Sequence, residues 1–211
     1  ADLMAGVIRA VSQHFMDDPV RALRAARQAA EFGFRVEEGT LRYMRACAEE
    51  LQHEPTERLM GELRRALAAP RPSVFFRVLR ATDLLAVTFP EIAALEGQTQ
   101  PTEFHPEGDA LAHTLAMVDA VARETEEIKT RFAALVHDLG KGLTPQEMLP
   151  HHYGHERTGL DARAHDAAAR LAQGGGVRHP RAHACAAPYA SRQDCRSAAR
   201  YRCIGAFDDA V

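Results

Sequence analysis

"FAALVHDLGKGLTP", residues 132–145, carries an apolar helical stripe into a His-Asp pair and a glycine. Phe132, Leu135, Val136 and Leu139 recur at helical spacing and predict a helix that ends at Gly140. Neighbours on a helix point about 100° apart, so His137 and Asp138 share a target only near a helix end or where a groove faces them. They need outside partners. His113, in "ALAHTLAMV", sits on the preceding predicted helix, whose stripe is Leu111, Leu115, Val118 and Val121. An antiparallel pairing through a short turn near residues 124–130 brings His113 opposite the pair. A further cluster, His151, His152 and His155, follows in "HHYGHE".

A lone histidine on an apolar face is most often a hydrogen-bonded core residue, and an isolated His-Asp dipeptide occurs by chance. Here the pair is followed by "LGKG", an upstream histidine lies at helix-pair distance, and a His-rich loop follows within twenty residues. Together they predict a metal centre of His113, His137 and Asp138, with His137 and Asp138 as the catalytic residues. Imidazole nitrogens and a carboxylate suit a borderline divalent transition ion such as Ni²⁺. Such an ion lowers the pKa of its water toward neutrality, making hydroxide available to attack a phosphoester, and Asp138 can both ligate and orient. Lys141 can contact a phosphate or be an ordinary solvated lysine.

Working outward, 46% hydrophobic residues over 211 positions suffice for a sizeable core, and the cysteines Cys47, Cys185, Cys195 and Cys203 show neither zinc spacing nor a disulfide framework. No stretch approaches the roughly eighteen uncharged apolar residues of a membrane helix, and the opening "ADLMAGVIRA" does not read as a signal peptide, so the expectation is a cytoplasmic protein without membrane contact. The net charge of −3 offers no global attraction for nucleic acid, so any RNA contact must come from local basic stripes. Of 26 basic residues only Lys129 and Lys141 are lysines, which points to a GC-rich coding sequence, and the start at Ala1 reads as mid-domain, which predicts a fragment.

Residues 17–172 read as successive helices, with no run at the period of two that a strand requires, and predict an all-α fold. "DDPVRALRAARQAAEFGF" opens with an aspartate cap and Pro19 and stops near Gly33. Leu41, Met44, Ala48 and Leu51 form the next stripe, then Leu59, Leu63 and Leu67; "SVFFRVLRATDLLAVTFP" closes at Pro90. A looser segment to about residue 108 divides the chain. Beyond residue 172 no helical stripe survives: residues 1–171 hold nineteen leucines and the remainder none. The Arg, His, Cys and Ala content there is unlike an ordinary disordered tail, and an out-of-frame reading of GC-rich DNA accounts for it better.

Arg21, Arg24 and Arg27 recur every third residue and predict one basic stripe, with Val20, Leu23, Ala26 and Ala30 packing inward. Asp18 can accept hydrogen bonds while Arg21, one turn later, donates them; such a pair fits a nucleobase edge, with the following guanidinium groups on a triphosphate. Taken alone, an aspartate cap with a solvated arginine face is the simpler reading.

"HDLGKG" with an upstream histidine resembles the HD phosphohydrolase superfamily, an all-helical metal-dependent fold whose pattern is His, His-Asp and a later Asp. His113, His137 and Asp138 match the first three; the fourth is expected beyond about residue 175, and neither Asp161 nor Asp166 is assigned to it. "GVIRAVSQHFMDDPVRALRAARQAAEFGF" resembles the neck of bacterial tRNA nucleotidyltransferases, the CCA-adding enzymes and their poly(A) polymerase relatives, with Asp17 where the family's E-D-x-x-R signature has Glu. "TERLMGELRRAL" resembles the next motif, and "PSVFFRVLRATDLLAVTFPEIAAL", "HPEGDALAHTLAMV" and "FAALVHDLGKGLTP" resemble the members that carry an HD domain. The resemblance covers nearly all of residues 1–172.

It implies that Asp18 and Arg21 template the incoming CTP or ATP, that Arg24 and Arg27 hold the nucleotide, and that Glu57, Arg58 and Glu62 support the neck. It further implies tRNA as partner, with Mg²⁺ serving nucleotidyl transfer in a catalytic head that these 211 residues do not contain. The expected organisation is a class II nucleotidyltransferase neck and body at 1–103, an HD domain with phosphatase or 2′,3′-cyclic phosphodiesterase activity at 104–172, and the anomalous tail at 173–211. A stand-alone HD phosphohydrolase or nucleotidase and a noncatalytic helical RNA-binding module are the alternatives. Monomer and homodimer both remain open, as does poly(A) specificity.

Overall fold

A computed structural model describes residues 2–101, 103 and 105–158. The expectations for the tail, for Asp161 and Asp166, for Cys185, Cys195 and Cys203, and for the last part of the HD region lie outside these residues. The described chain is helical, as its periodicities predict. A two-residue strand β1 (Val7–Ile8) and a 3₁₀ turn (Gln13–Asp17) precede helix α1 (Val20–Phe32), followed by β2 (Arg35–Val36). Then come α2 (Glu38–Ala46), α3 (Ala48–Leu51), α4 (Thr56–Ala68), α5 (Ser73–Ala81), α6 (Leu84–Thr88) and α7 (Pro90–Ala93). After a loop, α8 (Ala110–Glu124) and α9 (Ile128–Val136) form a hairpin, followed by 3₁₀ turns at Leu139–Leu143 and Gln146–Met148 and by α10 (His155–Thr158).

Strands β1 and β2 pair in parallel, Val7 with Arg35 and Ile8 with Val36, where no strand is expected. Two residues cannot display a period of two, so periodicity is blind to this ladder. Local rules bound α1 well: Pro19 presets its first turn, Asp18 Oδ1 accepts from Val20 N at 3.3 Å, and Gly33 ends it at φ 68°, which favours glycine. Its buried face is mostly alanine, Ala22, Ala25, Ala26, Ala29 and Ala30 beside Val20 and Leu23, and against it pack α4 and α5.

Two expected stripes are broken. The one from Leu41 to Leu51 divides at Cys47 into α2 and α3, and "SVFFRVLRATDLLAVTFP" divides at Asp83, which takes φ 60° and so cannot continue a helix. Pro90 opens α7 instead of closing its predecessor. Most consequentially, α9 stops at Val136, four residues before Gly140, and the chain tightens into i+3 hydrogen bonds such as Lys141 N to Asp138 O at 2.9 Å. Gly142 is where this turn meets the end of α7: a Cβ there would stand 3.1 Å from the Cβ of Ala94 and 3.3 Å from its backbone.

One core cluster runs from Val20 through Phe75, Phe76 and Leu95 to Leu139. Two polar links join α8 and α9 to the earlier helices. Ser73 donates from N and Oγ to the Asp119 carboxylate at 2.9 and 2.7 Å. Arg131, 4% exposed, donates from Nη1 to Leu67 O and Ala69 O at 2.6 and 3.0 Å, from Nη2 to Ala122 O at 2.9 Å, and from Nε to Thr125 O at 2.8 Å. Among the described residues no helix is long and apolar enough to cross a membrane.

Arg131→Met keeps the apolar stem and removes every donor. Each buried carbonyl left without a donor costs about 1–3 kcal/mol, so this variant is expected to lose at least ~3 kcal/mol, read as a lower denaturant midpoint at unchanged slope.

Candidate functional site

The early end of α9 resolves the angular problem of the His-Asp pair. His137 becomes the cap residue at φ −58°, ψ −31°, and Asp138 leaves the helix at φ −113°, ψ 12°. The α8–α9 hairpin, turning at residues 125–127, then sets His113 opposite, with its ring centroid 5.9 Å from that of His137. Ligand atoms of His113, His137 and Asp138 all lie within 4.8 Å of one another.

His137 Nδ1 lies 2.9 Å from Ala134 O. A carbonyl only accepts, so Nδ1 carries the hydrogen and the neutral ring presents a lone pair at Nε2. That lone pair stands 3.1 Å from Asp138 Oδ2, acceptor against acceptor, an arrangement that calls for a proton or a metal cation between them. His155 repeats it more loosely: its Nδ1 donates to His152 O at 2.7 Å and its Nε2 stands 3.6 Å from Asp138 Oδ1. Of the His-rich loop, His155 alone faces the carboxylate in this way. His152 is committed to Thr144 Oγ1 at 2.8 Å and Thr99 O at 2.9 Å, and exposed His151 stacks on Tyr153.

Lys141 is not a solvated lysine. It is 5% exposed, and its Nζ lies 2.7 Å from Asp138 Oδ2 and donates to Gln100 Oε1 at 2.6 Å. Burial alone would raise the Asp138 pKa, but with a proton on His137 Nε2 the hydrogen bond and charge of that ring, and then the ammonium of Lys141, hold it well below the usual carboxylate range. The His113 pKa is also lowered, by burial first and by His137 next; burial likewise lowers His105 and His152. His105 and Glu107, which sequence reasoning did not single out, lie beside His113. Their only signal is proximity to it in "HPEGDALAH", in a loop without periodicity.

The arginine stripe is divided. Glu62 of α4, its side chain 3% exposed, accepts from Arg27 Nε at 2.8 Å, Arg65 Nη1 at 3.0 Å and Arg24 Nε at 3.3 Å. That buried carboxylate turns Arg24 and Arg27 toward α4, and Arg27 also pairs with Glu31. Asp18 faces Arg58 Nη2 at 2.7 Å and, more distantly, Arg24 Nη1 at 3.8 Å. Burial opposes ionisation of Asp18, but Arg58 outweighs it and lowers the pKa. Arg21 points elsewhere: its Nη1 donates to His14 O, and with Arg24 it borders a concavity of about 410 Å³ lined also by Ile8, Ser12, Phe15 and Gln28. Asp18 and Arg21 are thus linked through backbone, Arg21 N to Asp18 O at 3.0 Å, while their side chains serve different partners. Of the expected supports, Arg58 and Glu62 make these contacts and Glu57 is exposed.

Comparison with known families defines the class first. Residues 110–179 match the HD domain, and residues 33–95 match the probable RNA and SrmB-binding site of polymerase A. An HD domain of this kind implies dependence on a divalent metal. The chain is similar to multifunctional CCA proteins over about three quarters of its length: it is 49% identical to that of Nitrosococcus oceani over 161 residues, 75% of this chain and 40% of that one. It is 50% identical to that of Methylococcus capsulatus over 166 residues, 76% and 39% of the two chains. It therefore spans about 40% of the length of these relatives. A solved tRNA-processing enzyme (apo form I) aligns with a TM-score of 0.46 and 21% identity, over 77% of this chain and 45% of that chain.

The lowered histidines give a pH dependence of definite sign. His113 and His105 stay neutral in the folded chain at pH values where the unfolded chain, titrating near 6.5, is already protonated. Acidification through that value therefore favours unfolding. With chelator present, stability is expected to fall between about pH 7.5 and 5, and His113→Gln should flatten the fall. Denaturant unfolding across this range measures both.

Proposed function

We propose that this chain comprises the nucleotide-selecting neck and body, residues 1–103, and the HD phosphohydrolase domain, from residue 104, of a cytoplasmic CCA-adding tRNA nucleotidyltransferase. The whole enzyme adds C, C and A to tRNA 3′ ends from CTP and ATP, with Mg²⁺ in a catalytic head outside these residues. The observation that carries the proposal is that one sequence match, at 49% identity, covers 75% of this chain and so takes in the converging His113, His137 and Asp138.

In the HD site, His113, His137 and Asp138 would hold a divalent transition ion such as Ni²⁺; the facing lone pairs of His137 Nε2 and Asp138 Oδ2 at 3.1 Å fit a cation. Bound there, such an ion supplies a Lewis acid and lowers the pKa of water, the chemistry needed to hydrolyse phosphomonoesters or 2′,3′-cyclic phosphates. The residues around it prepare the ligands. Donation from Nδ1 to Ala134 O orients the His137 ring, and Lys141 keeps Asp138 ionised and aimed. Metal titration of the chelated chain against His137→Ala tests this. The variant is expected to lose at least tenfold in affinity, and equal stoichiometry and affinity in the two would overturn the assignment.

At the neck, Asp18 and Arg21 serve as the template for the incoming base while Arg24 and Arg27 hold its phosphates. Arg58 on Asp18 and Glu62 on Arg24 and Arg27 fix this set before nucleotide arrives. For Arg21 to reach a base it exchanges the His14 carbonyl for the nucleotide edge. In the chain joined to a nucleotidyltransferase head from a relative, Arg21→Ala is expected to relax the choice between CTP and ATP by about 1–3 kcal/mol, the worth of a bidentate base contact. Arg24→Ala should weaken both nucleotides together. An unchanged CTP to ATP preference in Arg21→Ala at every addition step would return the helix to a structural role.

A further inference from the structure

The loop that enters α8 carries a second group of metal-ligand type. His105, Glu107 and His113 each offer an atom within 4.8 Å of the others. The rings of His105 and His113 are 4.6 Å apart at 80°, and His113 Nδ1 stands 3.5 Å from Glu107 Oε2. Both His105 Nδ1 and His113 Nδ1 are buried without a hydrogen-bond partner. Orphaned buried nitrogens are rare, and two of them in one cluster with a carboxylate leave that cluster short of a positive charge.

The backbone holds this loop in place. Gly108 N donates to His105 O at 2.9 Å, Gln100 N to Gly108 O at 3.0 Å, and the Asp109 carboxylate accepts from Gly97 N at 2.8 Å and Ala112 N at 2.9 Å. The three side chains thus start from a fixed frame. Two imidazoles and a carboxylate match the ligand preference of zinc-like divalent ions and leave a coordination position open.

We propose that His105, Glu107 and His113 form a second divalent-cation position beside the His137–Asp138 pair, with His113 bridging the two through its opposite ring nitrogens as an imidazolate, its N–H proton being released to solvent when the second ion binds. Nδ1 serves the ion held with Glu107 and His105, and Nε2 serves the ion held with His137 and Asp138. The second position rests on the HD reading of the site through the shared His113, whereas His105 and Glu107 belong to it alone.

The test is equilibrium dialysis of the chelator-stripped 211-residue chain against Co²⁺ alone, with the visible absorption of the bound ion as a second readout. Wild type is expected to bind two ions, Glu107→Gln and His105→Gln one, His137→Ala one, and His113→Ala none. Either loop variant that melts like wild type without metal suffices as a probe. Wild-type stoichiometry and affinity in a well-folded Glu107→Gln or His105→Gln would overturn the second position. A single wild-type ion lost in both Glu107→Gln and His137→Ala would also overturn it, since one ion would then draw on both groups. If Glu107→Gln loses an ion while His137→Ala keeps both, the second position stands and the HD assignment falls; the converse result does the reverse.

Discussion

The guanidinium of Arg131 is the point on which this architecture closes. It is buried, and its four hydrogen bonds go to carbonyl oxygens at the C-terminal ends of two helices: Leu67 and Ala69 where α4 ends, Ala122 and Thr125 where α8 ends. Helix C-termini carry unsatisfied carbonyls and partial negative charge, so one cation satisfies both ends at once. Because Arg131 lies in the first turn of α9, the contact sets the register of that helix against α8 and α4. His137 at the far end of α9 and His113 on α8 are brought to 5.9 Å by that register. The catalytic-type geometry is therefore downstream of a structural ion.

Buried carboxylates organise the two candidate sites in the same way. At the metal-type site Asp138 is surrounded by His137, Lys141 and His155, and at the neck Glu62 gathers Arg24, Arg27 and Arg65. Removing a charge from water is costly unless it is paired and hydrogen-bonded, so each carboxylate dictates where its partners point. Lys141 illustrates the consequence. Its ammonium spans Asp138 and Gln100, which ties the His-Asp pair to the loop before α8 that also carries His105 and Glu107. Cys47, by contrast, is buried with its Sγ donating to Tyr43 O at 3.2 Å and its thiol pKa pushed up to about 11, so it packs and does not react.

How far the sequence alone carries is clear from particular residues. The bounds of α1 follow from Asp18, Pro19 and Gly33, because caps and breakers act on their immediate neighbours. The meeting of His113 with His137 and Asp138 follows from two apolar stripes and a short turn, since helical periodicity tells which side of each helix is buried. The resemblance carried by "HDLGKG" and by the arginine helix adds the expectation of an HD domain and a nucleotidyltransferase neck. The end of α9 at Val136, the split of the arginine stripe, the burial of Lys141 and the group at His105 and Glu107 could not be read this way. Two of these depend on a partner remote in the chain, Arg24 on Glu62, 38 residues away, and Lys141 on Gln100, 41 away; His105 and Glu107 are near His113 in the chain, but in a loop whose shape no periodicity gives. Periodicity and capping are properties of contiguous residues, whereas the direction of a charged side chain is chosen by whichever opposite charge or carbonyl the packed helices bury beside it.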